Sequence, residues 1–273
     1  MSAQTFQQAI QEQPVNVVQA ALCFAREIAY PHLDIAEYTA RVEELIEEAS
    51  ASIPRKHKLA ERAELLADIL FFQHRYRGNV SQYEDPDNSY LNRVIDRRLG
   101  IPISLSVIYI AAAKGIGIPA EGVGLPGHFI VGIRDGETRI FIDPFNGGTR
   151  LSMPDCAQLV QQATGYSGTF QEEWLKPASP QMILTRMLNN LRNIYLNQED
   201  GPHALRVVER LRMLQPQHHE LLRDLGMIHQ RNGSLRLAVQ NYEAYLRQSP
   251  GAPDAGEVMA LLRAATQQIG RLN

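Results

Sequence analysis

Asp135-Gly136 is flanked by two apolar-rich runs, His128 to Arg134 and Glu137 to Asp143, and this arrangement limits the local fold to a β-hairpin. A two-residue turn of this composition accommodates the positive φ angles that a type I′ hairpin needs. With Asp135-Gly136 as the turn, cross-strand partners have residue numbers summing to 271, so Ile130 opposes Phe141 and His128 opposes Asp143. The imidazole and the carboxylate then share one face, with Cβ atoms roughly 5 Å apart. The other face carries Phe129, Val131, Ile133, Ile140 and Ile142, which must pack against a core. The face bearing the pair is expected to be partly polar, as a cleft would be. A histidine oriented by an aspartate is two thirds of an acyl-transfer triad, and the nucleophile has to be sought elsewhere.

The 273 residues suffice for one large domain or two smaller ones. A formal charge of −3 gives no electrostatic case for nucleic-acid binding. No apolar run approaches the roughly 18 residues of a membrane span, and Met1 to Val15 lacks the apolar core of a signal peptide. Only Cys23 and Cys156 are present, which rules out a disulfide framework and metal-ligand spacing. His218-His219 lacks a third ligand, so neither a metal nor another cofactor is expected. The plain expectation is a cytoplasmic protein with reduced thiols.

Residues 1–77 read as a helical segment. Val17 to Ile28, Ile35 to Ala49 and Leu59 to Phe72 each place apolar residues at helical spacing, with breaks at Pro31 and Pro54. Cys23 falls inside the first of these helices as a buried thiol. Asn88 to Leu99 predicts a further helix ending at Gly100, with Arg97-Arg98 on a solvated face. Pro102 then suits the first position of a new helix, where its missing N–H costs nothing. From Ile103 to Ala113 that helix is apolar almost all round and belongs in the middle of a domain. Ile118 to Leu125 reads as a strand leading through Pro126-Gly127 into the hairpin, and Cys156 follows Pro154-Asp155 at a helix start. A buried helix followed by an antiparallel sheet is an α+β fold.

The C-terminal third repeats with a period of 34. Leu188, Leu191, Tyr195, Ala204 and Pro216 recur as Leu222, Leu225, His229, Ala238 and Pro250. The copy over residues 219–252 carries Leu225-Gly226, Gly233, Ala238, Tyr242 and Pro250 at the positions of a tetratricopeptide repeat. The copy over 185–218 has Arg192 where a small residue belongs. Two antiparallel helix pairs are expected, with Ala204 and Ala238 at tight crossings and residues 254–269 as a capping helix. The domains are therefore read as 1–180 and 181–273.

Ser104 and Ser106 stand in the first turns of the buried helix, where backbone N–H groups and positive potential would favour an anion. Four runs together carry a family resemblance: Asn88-Ser89-Tyr90-Leu91, Gly100 to Ser106, Pro126-Gly127-His128-Phe129 and Asp143-Pro144-Phe145-Asn146-Gly147-Gly148. The chain resembles the bacterial SirB family, which joins a transglutaminase-like core to C-terminal tetratricopeptide repeats. That resemblance implies a papain-type site, with a cysteine at the start of the central helix and His128 and Asp143 on adjacent strands. The cysteine position falls within a residue or two of Pro102 to Ser104, and no cysteine is there.

Ser104 has two readings. As a nucleophile it completes Ser104-His128-Asp143, an amide or ester hydrolase or acyl transferase in which Asp143 fixes the imidazole tautomer. As a helix-terminal hydroxyl it serves the free backbone groups that every helix start leaves. Without a nucleophile, the transglutaminase-like domain is vestigial and the chain acts by binding a protein or peptide through its repeats. The Asn146-Gly147-Gly148 turn, Tyr90 and Asn92 are further candidates for the wall of the same cleft.

Overall fold

The computed structural model describes residues 4–136 and 138–272. Glu137, expected to open the second hairpin strand, lies outside the described residues. Two compact units emerge: residues up to Arg26 with Tyr30–Met187, and Glu27–Ala29 with the chain from Leu188 onward.

In the first unit the helical segment forms α1 (Phe6–Gln11), α2 (Val17–Ile28), α3 (Ile35–Ser52) and α4 (Leu59–Ala67). A single π-helical stretch, Asp68–Gln73, prolongs α4. Two short parallel strands, β1 (Arg77–Gly78) and β2 (Leu99–Gly100), bracket α5 (Leu91–Arg97). The predicted helix at 88–99 is thus shorter than its pattern. Arg98 sits in the left-handed region at φ 56° and caps α5 through its N–H to the Val94 carbonyl. Arg97 is not free on a solvated face, because it pairs with Asp85 at 2.7 Å and Asp87 at 3.2 Å.

Pro102 opens α6 (Pro102–Gly115), as its missing N–H predicts, and every residue from Pro102 to Ile110 is buried. β3 (Ala120–Val123), β4 (Ile130–Asp135), β5 (Thr138–Asp143), β6 (Thr149–Leu151) and β7 (Pro177–Ala178) form one antiparallel sheet in the order β6-β5-β4-β3-β7. α7 (Met153–Thr164) follows β6, and Cys156 lies in its first turns. A central buried helix against an antiparallel sheet is the α+β core expected.

The hairpin register differs from the expected one. Asp135 pairs with Thr138 and Ile133 with Ile140, so partners sum to 273. Gly136 takes φ 61°, and the Thr138 hydroxyl donates to the Asp135 carbonyl at 2.8 Å, which keeps Asp135 in the ladder. A shift of two preserves facing, whereas a shift of one would have inverted it. Ile130 therefore does not oppose Phe141, and His128 lies ahead of β4 rather than opposite Asp143.

Both sheet faces are covered. Val131, Ile133, Ile140 and Ile142 are buried on one side, as alternation requires. The face expected to be partly polar carries Ile130 and Phe141, which join Val123, Leu125, Cys156, Val160 and Leu175 in a second apolar cluster. Its polar groups lie at the two ends, His128 and Asp143 at one and the Arg139–Glu121 ion pair at the other.

The second unit follows the repeat. α8 (Pro180–Asn197) bridges into it, and α9 (Gly201–Leu214), α10 (Glu220–Arg231), α11 (Leu235–Gln248) and α12 (Ala255–Leu272) complete it. Ala204 and Ala238 are fully buried, and Ala238 packs with Leu222, Tyr242, Tyr245 and Val258. A Cβ on Gly226 would fall 2.4 Å from the Tyr242 ring, the reason that position is small. Arg192, at the corresponding place one repeat earlier, instead forms an ion pair with the buried Asp224. Ala238→Leu should overpack the α10–α11 crossing and cost about 1–3 kcal/mol, read as a lower urea midpoint at unchanged slope.

Candidate functional site

Leu125-Pro126-Gly127-His128 is a tight turn closed by the His128 N–H to the Leu125 carbonyl at 3.2 Å. Proline followed by a residue at positive φ is the type II pattern, and Gly127 has φ 70°. Its α-carbon also lies against α7, where a Cβ would come 2.6 Å from that of Ala163. Arg186 of α8 holds the same turn by donating to the Leu125 carbonyl at 3.0 Å and the His128 carbonyl at 2.7 Å. Its guanidinium lies 5.5 Å over the Phe129 ring.

Held this way, His128 Nε2 lies 3.0 Å from Asp143 Oδ2, with the histidine 8% exposed and the aspartate fully buried. The pair forms along a diagonal of the hairpin, not across it. Asp143 also anchors the turn that follows. Its Oδ1 accepts from the Phe145 N–H at 3.0 Å and the Asn146 N–H at 3.4 Å, and its Oδ2 accepts from Asn146 Nδ2 at 2.7 Å. Those bonds are those of an Asx turn, in which a side chain replaces a backbone acceptor. One carboxylate thus both positions an imidazole and builds a turn.

Phe145 packs edge-on to the His128 ring at 6.0 Å, and Tyr83 packs edge-on to Phe145 at 6.0 Å. Tyr83 remains 46% exposed, while partial burial of its phenol raises its pKa and nearby Arg186 acts the other way. Phe145 presses on the backbone too, since a Cβ on Gly78 would fall 2.6 Å from its ring. Arg186 and Tyr83 had no signal in sequence spacing, because they reach this site only through the tertiary fold, Arg186 at the His128 carbonyl and Tyr83 by way of Phe145. Asn146, expected in the turn at the cleft wall, bonds Asp143 through both its backbone N–H and its side-chain amide.

Ser104 points elsewhere. Its Oγ accepts from the Ile101 N–H at 3.0 Å and donates to the Asn88 carbonyl at 2.6 Å, and the residue is fully buried. This is the side chain at the third helical position satisfying the N–H of the residue that caps the helix. Ser106 is also buried, donating to the Pro102 carbonyl at 2.7 Å, with its Oγ 3.5 Å from the Phe129 carbonyl. The start of α6 therefore runs beside the segment carrying His128, but neither hydroxyl is bonded to the imidazole. Tyr90 is not a cleft wall: it is fully buried, 5.3 Å from the Tyr30 ring and 6.3 Å from that of Phe24. Asn92 is 97% withdrawn from solvent, with its carbonyl oxygen lacking a hydrogen-bond partner.

Neither native thiol substitutes. Cys23 is fully buried on α2 and approaches the Gln4 carbonyl at 3.4 Å. Cys156 is fully buried in the second cluster, where burial first, then Asp155 and Asp143, push its thiol up to about 11. A thiol so disfavoured as thiolate is a poor nucleophile. Both should resist iodoacetamide in the native state and react only as the chain unfolds, which mass-spectrometric counting of adducts along a urea series would show.

Residues 36–189 match the transglutaminase-like superfamily, and residues 191–263 match a tetratricopeptide repeat family. The chain belongs to the transglutaminase-like superfamily. It is 34% identical over 247 residues to a UPF0162 protein of Xylella fastidiosa (strain Temecula1 / ATCC 700964), a match spanning 88% of this chain and 86% of that one. A UPF0162 protein of Vibrio cholerae is 25% identical over 230 residues, spanning 84% and 82%. A shorter stretch resembles F-box only protein 21 of Homo sapiens, 34% identical over 102 residues, which is 34% of this chain and 16% of that protein. His128, Asp143 and the start of α6 at Pro102 and Ile103 all lie within the span matched to the superfamily.

Proposed function

We propose that this member of the superfamily works by binding, with a transglutaminase-like core that no longer performs acyl transfer and with repeats that recognise a protein or peptide partner. The observation that supports this most is the engagement of Ser104, whose hydroxyl has backbone acceptors at the Asn88 carbonyl (2.6 Å) and the Ile101 carbonyl (3.1 Å) inside a fully buried cap. A nucleophile has to present that oxygen to a substrate and its proton to a base. Tetratricopeptide helix pairs generally mediate protein–protein contact, and α8–α12 supply such a stack. The four sequence runs around Asn88, Gly100, Pro126 and Asp143 support keeping the resemblance to the SirB family, and with it a bacterial cytoplasmic setting. No described helix is long and apolar enough to cross a membrane.

A second reading stays in play because His128 Nε2 and Asp143 Oδ2 are bonded at 3.0 Å, leaving the other ring nitrogen for a substrate or nucleophile. It is a hydrolase or acyl transferase using Ser104, His128 and Asp143, and it requires Ser104 to leave its cap. One experiment separates the two. The full chain is incubated with a fluorophosphonate probe and mapped by mass spectrometry, alongside Ser104→Cys treated with iodoacetamide. On the binding reading Ser104 stays unlabelled, and the introduced thiol reacts no faster than an unfolded cysteine. A fluorophosphonate adduct at Ser104 that disappears with His128→Ala would reverse the assignment.

A further inference from the structure

A cavity of about 550 Å³ opens on the first unit, lined by none of the residues that surround His128. Its floor is Val18, Val42, Val107, Ile110 and Ile183, each less than a tenth exposed. Its mouth is marked by the exposed Asn16, Glu43 and Lys114. α2, α3 and α6 converge there, and β3 with the start of α8 closes the far side. Folded interiors rarely leave voids much larger than a water molecule, and apolar walls give water few partners. A volume of this size lies within the range of roughly 300–1,000 Å³ typical of small-molecule sites.

Charge decides what fits. Glu121, one of the two acids lining the cavity, is held by Arg139 Nη2 at 2.7 Å and is thereby neutralised. Glu43 and Lys114 face the mouth with opposite signs, so the entrance carries no net charge. The floor offers an ion no partner, and desolvating one there would be costly. We propose that this cavity is a binding site for an uncharged, predominantly apolar small molecule. Such a site is separate from the partner surface of the repeats and independent of whether the His128–Asp143 pair is catalytic.

The test is a fluorescence titration of the full chain with the neutral probe N-phenyl-1-naphthylamine, with anionic 1-anilinonaphthalene-8-sulfonate as comparator. The neutral probe should bind saturably at one site and more tightly than the anionic one. Ala111→Trp fills the cavity from the half-buried wall of α6 and should weaken binding by roughly tenfold or more. Glu43→Trp narrows the mouth from the exposed side of α3, where folding is little at stake, and should weaken binding in the same sense. The proposal is overturned by absence of saturable neutral-probe binding. It is equally overturned if the anionic probe binds more tightly, or if the folded tryptophan variants bind as the parent does.

Discussion

Asp143→Ala is expected to destabilise the first unit by about 3–4 kcal/mol, whether or not the chain has any catalytic activity. Four donors converge on this fully buried carboxylate: the His128 ring, two backbone N–H groups and the Asn146 amide. Alanine leaves all of them without their acceptor in a place water reaches poorly. Asp143→Asn retains one oxygen for the backbone N–H groups of the Asx turn and should lose much less. Trp174 is the single tryptophan of the chain and packs on the cluster beneath β4 and β5, so urea unfolding followed by its fluorescence reads this unit. Equal midpoints for parent and Asp143→Ala would mean that the carboxylate is not the anchor of its turn.

Gly127→Ala should cost on the order of 2–5 kcal/mol, the sum of two separate penalties. Holding an L-residue at φ 70° costs roughly 1–2 kcal/mol, and pressing a new methyl into α7 costs about 1–3 kcal/mol more. The second penalty is steep because the neighbour at 2.6 Å is the Cβ of Ala163, which has no flexible end to swing away. The Trp174 signal reports this change as well. Ala163→Gly should recover part of the loss in the double variant, which keeps the backbone strain at residue 127 but loses the clash with α7. No recovery would show that close approach to α7 does not limit this turn.

Much of this molecule was legible because its signals are local and periodic. Apolar spacing located α2, α3 and α4, the missing N–H of Pro102 located the start of α6, and the interval of 34 located the helices of the repeats. The hairpin shows how far such signals reach. Alternation fixed which residues share a face, but not the register, in which Asp135 stays in the ladder opposite Thr138 and accepts from its hydroxyl. Burial of the second face was invisible because Cys156, Val160 and Leu175 come from segments with little pattern of their own. Ser104 illustrates the same limit at the site. Its acceptor is a backbone carbonyl 16 residues earlier, which no side-chain motif records. Arg192 looked like a flaw in the first repeat until Asp224, 32 residues later, appeared as its partner across the helices.

The unbroken course of α8 bears on how this chain can be inherited. The helix runs from Pro180 to Asn197, yet its opening turns, through Met187, belong to the first unit. Arg186 lies in those turns and supplies both guanidinium bonds to the loop that carries His128. A recombination event that cut at the sequence boundary near residue 180, exchanging the repeats for another module, would remove that arginine together with them. The donor core would then present its histidine on an unclamped turn. Shuffling at this seam is penalised inside the half that is kept, so lineages should carry the two halves together, or move the breakpoint past Met187.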